Sequence, residues 1–317
     1  MELDDRVERA EGCRLCHGGG MALGLDVLTE QDYPPLQIFA ERIRLETVKE
    51  LGHLGFGHIG GSMSIAETLA VLYGWELQHD PDDPDWPGRD MLVLSKGHAG
   101  PALYAALALR GFFPKSELET LNQPHTRLPS HCDRKLTPGV DMTTGSLGQG
   151  LSAALGMALA FQMDSRRRNV YCIIGDGECD EGQIWEAALL AGAKKADRLT
   201  LFVDCNGRQL DGATKDVLDL GDVAAKFASF GWHVQEVNGH DIGSIWTALN
   251  NIHMISGRPH AVILKTVKGK GCSFAEGKPN NHSMNISQDM VDEAVKEIQE
   301  RISDLVRGPK NRTFKGV

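Results

Sequence analysis

The chain has 317 residues, 33 lysines and arginines against 43 aspartates and glutamates, and a formal net charge of −10. With 41% hydrophobic and 24% charged residues it reads as a globular protein long enough to bury a core, and its acidity argues against nucleic acid as the main partner. No apolar run approaches the roughly 18 residues of a membrane span, and Met1-Glu2-Leu3-Asp4-Asp5 lacks the apolar core of a secretory signal, so a cytoplasmic protein without a membrane partner is expected.

Residues 1–35 contain Gly18-Gly19-Gly20 and the break Tyr33-Pro34-Pro35, and read as an extension ahead of the folded body. Within it, Cys13-Arg14-Leu15-Cys16-His17 has the spacing of a c-type haem attachment, but nothing signals export, so an arm with two exposed thiols is expected. Seven cysteines, an odd number, fit free thiols in a reducing compartment. From Leu36 to about Gly52, Ile38, Ile43, Leu45, Val48 and Leu51 recur at helical spacing. A glycine-rich turn, Gly55 to Gly61, leads to a second helix over Ile65–Trp75. Short apolar runs follow at Met91–Leu94, Val170–Ile174, Leu199–Val203, His233–Val237 and Ala261–Leu264. Helical stretches lie between them at Ala99–Arg110, Gln149–Met163, Gly182–Lys195 and Ile242–Ile255. Apolar strands alternating with helices predict a doubly wound α/β fold, a mostly parallel sheet with helices on both faces. After Ser287, the spacing of Met290, Val291, Val295, Ile298, Ile302 and Leu305 predicts a last helix before a basic, polar terminus. The expected organisation is therefore an extension over 1–35, one domain over 36–287, and a helix and tail over 288–317.

Ligands of such sheets sit at the carboxyl ends of the strands, which directs attention to Ser95-Lys96-Gly97-His98, Gly175-Asp176-Gly177, Asp204-Cys205-Asn206-Gly207 and Lys268-Gly269-Lys270-Gly271. Glycines after the second strand allow close backbone approach, and the following helix start suits phosphate. Asp176 would repel phosphate unless a hard cation such as Mg²⁺ bridges the two. Asn206 lies 30 positions further on, one strand–helix–strand unit of about 30 residues, which brings a neutral oxygen ligand to the same sheet edge. The backbone near Arg208 can add a carbonyl. Either segment alone is most simply a tight turn; the pair at this spacing is not.

Gly-Asp-Gly, a helix containing Glu-Gly, a strand and then Asn resembles the thiamine diphosphate signature shared by transketolases, decarboxylases and 2-oxo acid dehydrogenases. Gly57-His58-Ile59-Gly60-Gly61-Ser62, Ser95-Lys96-Gly97-His98-Ala99, Thr143-Thr144-Gly145-Ser146-Leu147-Gly148-Gln149-Gly150 and Thr266-Val267-Lys268-Gly269-Lys270-Gly271 narrow the resemblance to the amino-terminal half of a transketolase, over roughly residues 36–285. The resemblance implies that Asp176, Asn206 and the Arg208 carbonyl hold Mg²⁺, or Ca²⁺ or Mn²⁺ in its place, on thiamine diphosphate. It implies that His98, Gly177 and Glu178 line the diphosphate, and that Gly145, Ser146 and Leu147 approach the aminopyrimidine. Glu181, with Glu186 beside it, matches a carboxylate network that crosses to the partner. His58, His98, His131 and His282 match substrate-facing histidines, suited to moving protons because imidazole titrates near neutrality. Two departures stand out: Ser130-His131-Cys132 replaces the usual Gly-His-Pro, and Asn281-His282-Ser283 replaces Trp-His-Gly. Gly145 to Gly150 is not Gly-x-Gly-x-x-Gly and follows no clear strand, so a dinucleotide site is unsupported.

Members of this family place the coenzyme between a diphosphate-binding and a pyrimidine-binding module. The tail after the first module is too short for a second α/β domain. The resemblance thus implies the amino-terminal subunit of a split transketolase, inactive alone, paired with a carboxy-terminal subunit in an A2B2 assembly. Its substrate would be a ketose or sugar phosphate, with the distal-group contacts in the partner. The α subunit of a 2-oxo acid dehydrogenase shares the Gly-Asp-Gly and Asn signature but leaves Ser95–His98 and Gly57–Gly61 unexplained. Intact Asp176, Asn206, His58 and His98 count against a non-catalytic relative.

Overall fold

The computed structural model describes residues 33–164 and 168–307. The Cys13-to-Cys16 arm and the basic terminus lie outside the described residues. In chain order the main elements are α1 (Tyr33–Leu54), α2 (Ile59–Met63), α3 (Ala66–Val71), β1 (Met91–Leu94), α4 (Gly100–Leu109), α5 (Gln149–Met163), β2 (Val170–Gly175), α6 (Gly182–Lys194), β3 (Leu199–Cys205), α7 (Val223–Ser229), β4 (His233–Asn238), α8 (Ile242–His253), β5 (His260–Lys265) and α9 (Gln288–Arg307). The helix expected over Ile65–Trp75 is regular only to Val71. It then widens into one turn with Leu77 N–H donating to the Leu72 carbonyl, five residues back.

The five strands form one parallel sheet in the order β1-β2-β3-β5-β4. Alternation along the strands builds two cores. Tyr171, Ile173, Phe202, Val262 and Leu264 face α1, α3, α4, α8 and α9, whereas Val170, Cys172, Ile174, Leu201, Val203 and Ile263 face α5, α6 and α7. This is the doubly wound arrangement that near-continuous apolar strands demand, since both sheet faces are covered. Asp241 and Asp222 cap α8 and α7 by accepting from Gly243 and Ala225 N–H. Helix α9 lies along α1, with Val291, Ala294 and Ile298 buried; a Cβ on Gly52 of α1 would stand 2.3 Å from Val291 Cγ2. The five described cysteines with free thiols are Cys132, Cys172, Cys179, Cys205 and Cys272. Among the described residues, no helix is long and apolar enough to cross a membrane.

Two features outside the sheet set the geometry of the strand tips. The two-residue strands Phe56–Gly57 and Met284–Asn285 pair antiparallel, bringing the chain just before His58 against the chain just after His282. A buried ionic network then clamps the segment after β5. Glu67 of α3 accepts from Arg44 Nη2 at 2.6 and 2.7 Å and pairs with His240 Nδ1 at 3.2 Å; Arg44 Nε donates to the Lys270 carbonyl, and His240 Nε2 accepts from Val267 N–H. Burial pushes the Glu67 carboxyl up, but the Arg44 guanidinium and His240 outweigh it and hold it at about 2. Because that lies below the unfolded value of 4.5, the network's stabilisation is complete above pH 4.5 and is lost as pH falls towards 2. Glu67→Gln leaves Arg44 short of its buried partner and should destabilise the chain by roughly 3 kcal/mol at neutral pH. Thermal melts across pH check this: the gap between variant and wild type should close on acidification.

Candidate active site

Strand register puts the chemistry where the sheet ends. Gly175 pairs with Asp204, so Asp176 and Asn206 emerge one after the other from adjacent strand tips. Asp176, 9% exposed, accepts from Gly177 N–H through Oδ1 at 2.9 Å and from Gly207 N–H through Oδ2 at 2.6 Å. Burial and the nearby Asp204 carboxylate raise it to about 6, against the pull of those two N–H groups. Asn206 donates its Nδ2 to Asp204 Oδ2 at 3.0 Å, and its Oδ1 accepts from Arg208 N–H at 3.1 Å. Since a carboxylate can only accept, Asp204 dictates which way the Asn206 amide faces and leaves Oδ1 on the far side.

Asp204 is the buried anchor beneath. It receives the Lys96 ammonium, Ser64 Oγ at 2.6 Å, Thr266 Oγ1 and Asn206 Nδ2. Burial opposes its ionisation, but Lys96 and these donors prevail and hold it below the usual carboxylate range. Among the described residues, no group of three or more His, Cys, Asp or Glu side chains is arranged to hold a metal. The donors at the strand tips are instead one carboxylate, one amide oxygen and the Arg208 carbonyl. All are hard oxygens of the kind Mg²⁺ takes together with phosphate oxygens. A buried carboxylate pushed upward by a second carboxylate marks a local negative potential that a dication matches, so the residues fit such a group. Lys268 Nζ, 3.3 Å from the Arg208 carbonyl, shares that oxygen.

Beside these tips the four predicted histidines come together. His58 lies 5.7, 5.6 and 5.4 Å, ring centre to ring centre, from His98, His131 and His282, and His98 is 4.7 Å from His282. Three elements converge to do this. His58 stands at the start of α2; His98 sits in the turn between β1 and α4; and His282 is delivered by the short antiparallel pair. All four are held below the ordinary imidazole value, chiefly by burial. His98 is additionally faced by Lys96 and His282 by Lys268, the latter falling to about 4. Burial thus biases all four imidazoles towards the neutral form.

The loop of Gly145, Ser146 and Leu147 borders this cluster. A Cβ on Gly145 would lie 3.5 Å from His131 Cβ, and one on Gly97 would lie 2.9 Å from Gly145 N. Gly148, at φ +86°, ends the loop in a left-handed conformation that suits glycine and opens α5. Gly145 and Ser146 are exposed and Leu147 is half-buried.

Three carboxylates stand elsewhere. Glu178, placed with the diphosphate by the sequence, turns inward: it is 2% exposed and accepts from Ser95 Oγ, Gly148 N–H at 2.9 Å and Gly175 N–H at 3.2 Å. It ties three site segments to one another, because a carboxylate after a tight strand-to-helix turn finds free N–H groups within reach. Glu181 and Glu186 are exposed at the start and second turn of α6, outside the histidine cluster, with Glu181 backing onto Gly148. Lys96, Asp204, Lys268 and Asn281 have no role in the sequence reading, yet they hold the site together. Asn281 donates to the Lys268 and Ala275 carbonyls at 2.9 and 2.7 Å, and its own backbone carbonyl accepts from Gly60 N–H at 2.9 Å. The usable signal was a lysine beside glycine just past an apolar strand.

Residues 37–301 match the family model of the transketolase, thiamine diphosphate binding domain. A 6-deoxy-6-sulfo-D-fructose transketolase subunit from Clostridium sp. (strain MSTE9) is 54% identical over 264 residues, covering 83% of this chain and 96% of the relative. One of the subunits of an apulose-4-phosphate transketolase from Actinobacillus succinogenes is 41% identical, over 77% of this chain and 88% of the relative. The solved transketolase from Campylobacter jejuni superposes with a TM-score of 0.77 at 32% identity, covering 84% of this chain but 42% of that one. A carboxylate and an amide on adjacent strand tips of a parallel sheet, Asp176 and Asn206, place hard oxygen donors at the sheet edge where ligands of such folds sit. The chain belongs to the transketolase family, a family of transferases, and corresponds to its amino-terminal, thiamine diphosphate-binding part.

Proposed function

We propose that the chain is the diphosphate-binding subunit of a two-chain transketolase, dependent on thiamine diphosphate and Mg²⁺, that moves a two-carbon ketol unit from a ketose to an aldose. Residues 36–287 form its diphosphate domain, with 1–35 as an extension and 288–317 as helix and tail. The partner carries the pyrimidine-binding domain in an A2B2 assembly in the cytoplasm. The observation that carries this reading is the convergence of four histidines beside the Asp176 and Asn206 strand tips.

In this reading Asp176, Asn206 and the Arg208 carbonyl hold the cation, Gly177 and His98 approach the diphosphate, and Gly145, Ser146 and Leu147 approach the aminopyrimidine. Glu181 reaches the partner. The bound coenzyme supplies a carbon nucleophile and an electron sink. What remains for this chain is to orient the hydroxyls of the ketol end and move their protons. Neutral imidazoles at His58, His98, His131 and His282 can share these two tasks among them, because a neutral ring has one N–H and one lone pair. Their half-burial keeps bulk water from much of the cluster.

The related subunits are named for a sulfonated and a phosphorylated ketose, which supports an anionic ketose as donor. The test is a panel of sulfonated, phosphorylated and unsubstituted ketoses, assayed with an aldehyde acceptor on the natively purified complex with thiamine diphosphate and Mg²⁺. Transfer of a two-carbon unit from an anionic ketose is the expected result. Decarboxylation of 2-oxo acids with no ketol transfer would overturn the assignment.

A further inference from the structure

Lys268 sits between the two halves of the site. Its Nζ lies 3.1 Å from His282 Nδ1 and 3.3 Å from the Arg208 carbonyl, and its side chain is held in a buried segment, 3% exposed. That segment is pinned on both flanks. Asn281 Nδ2 donates to the Lys268 carbonyl, and His240 accepts from the neighbouring Val267 N–H. The Lys268–His282 contact is thus a built feature of the fold. A lysine ammonium carries three N–H donors and no acceptor lone pair. The only bond it can make to a ring nitrogen is donation into an unprotonated one, so His282 Nδ1 is the acceptor and the ring proton must sit on Nε2. A doubly protonated ring would set two positive charges 3.1 Å apart.

We infer that Lys268 locks His282 in its neutral Nε2–H tautomer, so that His282 enters the histidine cluster as a hydrogen-bond donor and not as a proton acceptor. The catalytic consequence rests on the transketolase reading above: His282 orients a substrate oxygen, and proton uptake falls to His58, His98 or His131. Lys268 is then a positioning residue, acting through His282. The tautomer itself rests on the chain alone.

The test uses the full chain labelled with ¹⁵N-histidine and long-range ¹H–¹⁵N correlation, which separates the two neutral tautomers by which ring nitrogen resonates in the unprotonated range. The His282 pattern is identified as the one lost in His282→Gln. In wild type its Nδ1 should resonate as the unprotonated nitrogen. Lys268→Met, which keeps the chain length without a donor, should shift Nδ1 upfield towards the protonated range, and Lys268→Arg should restore the wild-type pattern. An Nδ1–H pattern in wild type, or a wild-type pattern retained in folded Lys268→Met, overturns the inference. Should Lys268→Met fail to fold, the wild-type spectrum and Lys268→Arg still decide it. Because no coenzyme, metal or partner is added, failure here is distinct from failure of the ketol-transfer assay.

Discussion

Assayed alone, the chain should transfer no ketol unit, and adding the subunit that carries the pyrimidine-binding domain should raise turnover by at least about a thousandfold, the scale of general acid–base catalysis lost. The site of this chain is open on one side: Gly145 and Ser146 are exposed and the four histidines are only half-buried. Carbanion chemistry needs that side closed against water. The segments leading away from the site carry exposed apolar side chains, Leu210 at 68% and Leu218 at 50% after Arg208, and Leu189 at 56% in α6. Apolar groups left in water around a half-open site are what a docking partner covers. The related proteins covered nearly end to end are named as subunits, in keeping with the same division. The measurement is steady-state turnover of each purified chain and of their mixture; ketol transfer by this chain alone at the mixture's rate would defeat the two-chain proposal.

Replacing Asp176 with Ala should weaken Mg²⁺-dependent binding of thiamine diphosphate by at least roughly a hundredfold and abolish turnover with it. Loss of even an outer-shell partner of a metal ligand costs about 10–100-fold, and Asp176 supplies the only carboxylate among the proposed donors. Asp176→Asn separates charge from shape. In the metal-free chain the carboxyl is raised to about 6 by burial and by Asp204. It therefore contributes most to stability below its unfolded value of 3.8, and that contribution declines as pH rises towards 6. Near pH 7 without metal, Asp176→Asn removes the strained buried charge but can accept only one of the two N–H bonds the carboxylate takes; the two effects offset, so it should melt close to wild type while binding coenzyme far more weakly. Calorimetric titration with and without Mg²⁺, beside thermal melts, reads both. Coenzyme affinity unchanged in Asp176→Ala would remove the metal assignment. A residue whose loss spares stability and destroys binding is one retained for its ligand.

Much of this was legible in the residues in order. The five apolar runs are the five strands of the parallel sheet, nearly to their ends: β1, β2, β3 and β5 are covered on both faces, so they must be apolar and show as short unbroken runs, whereas β4, at the sheet edge, is half-buried and carries Gln235 and Glu236. Asp176 and Asn206 were placed at one sheet edge by spacing alone, since a strand–helix–strand unit has a nearly constant length. The turn that widens after Val71 was not visible, for helical periodicity persists through a single wide turn.

The chemistry-bearing residue types and the layered parallel sheet were thus determined by the sequence alone, because apolar periodicity and glycine positions are local properties. Only the tertiary structure decided which groups meet. Glu178 could not be told from a ligand residue by its neighbours in the chain, yet it is spent on Ser95, Gly148 and Gly175. Lys96 finds Asp204, 108 positions away, and Lys268 finds His282 and the Arg208 carbonyl. Such contacts join distant segments through charge and hydrogen-bond geometry in a low-dielectric interior, and no periodicity along the chain encodes them.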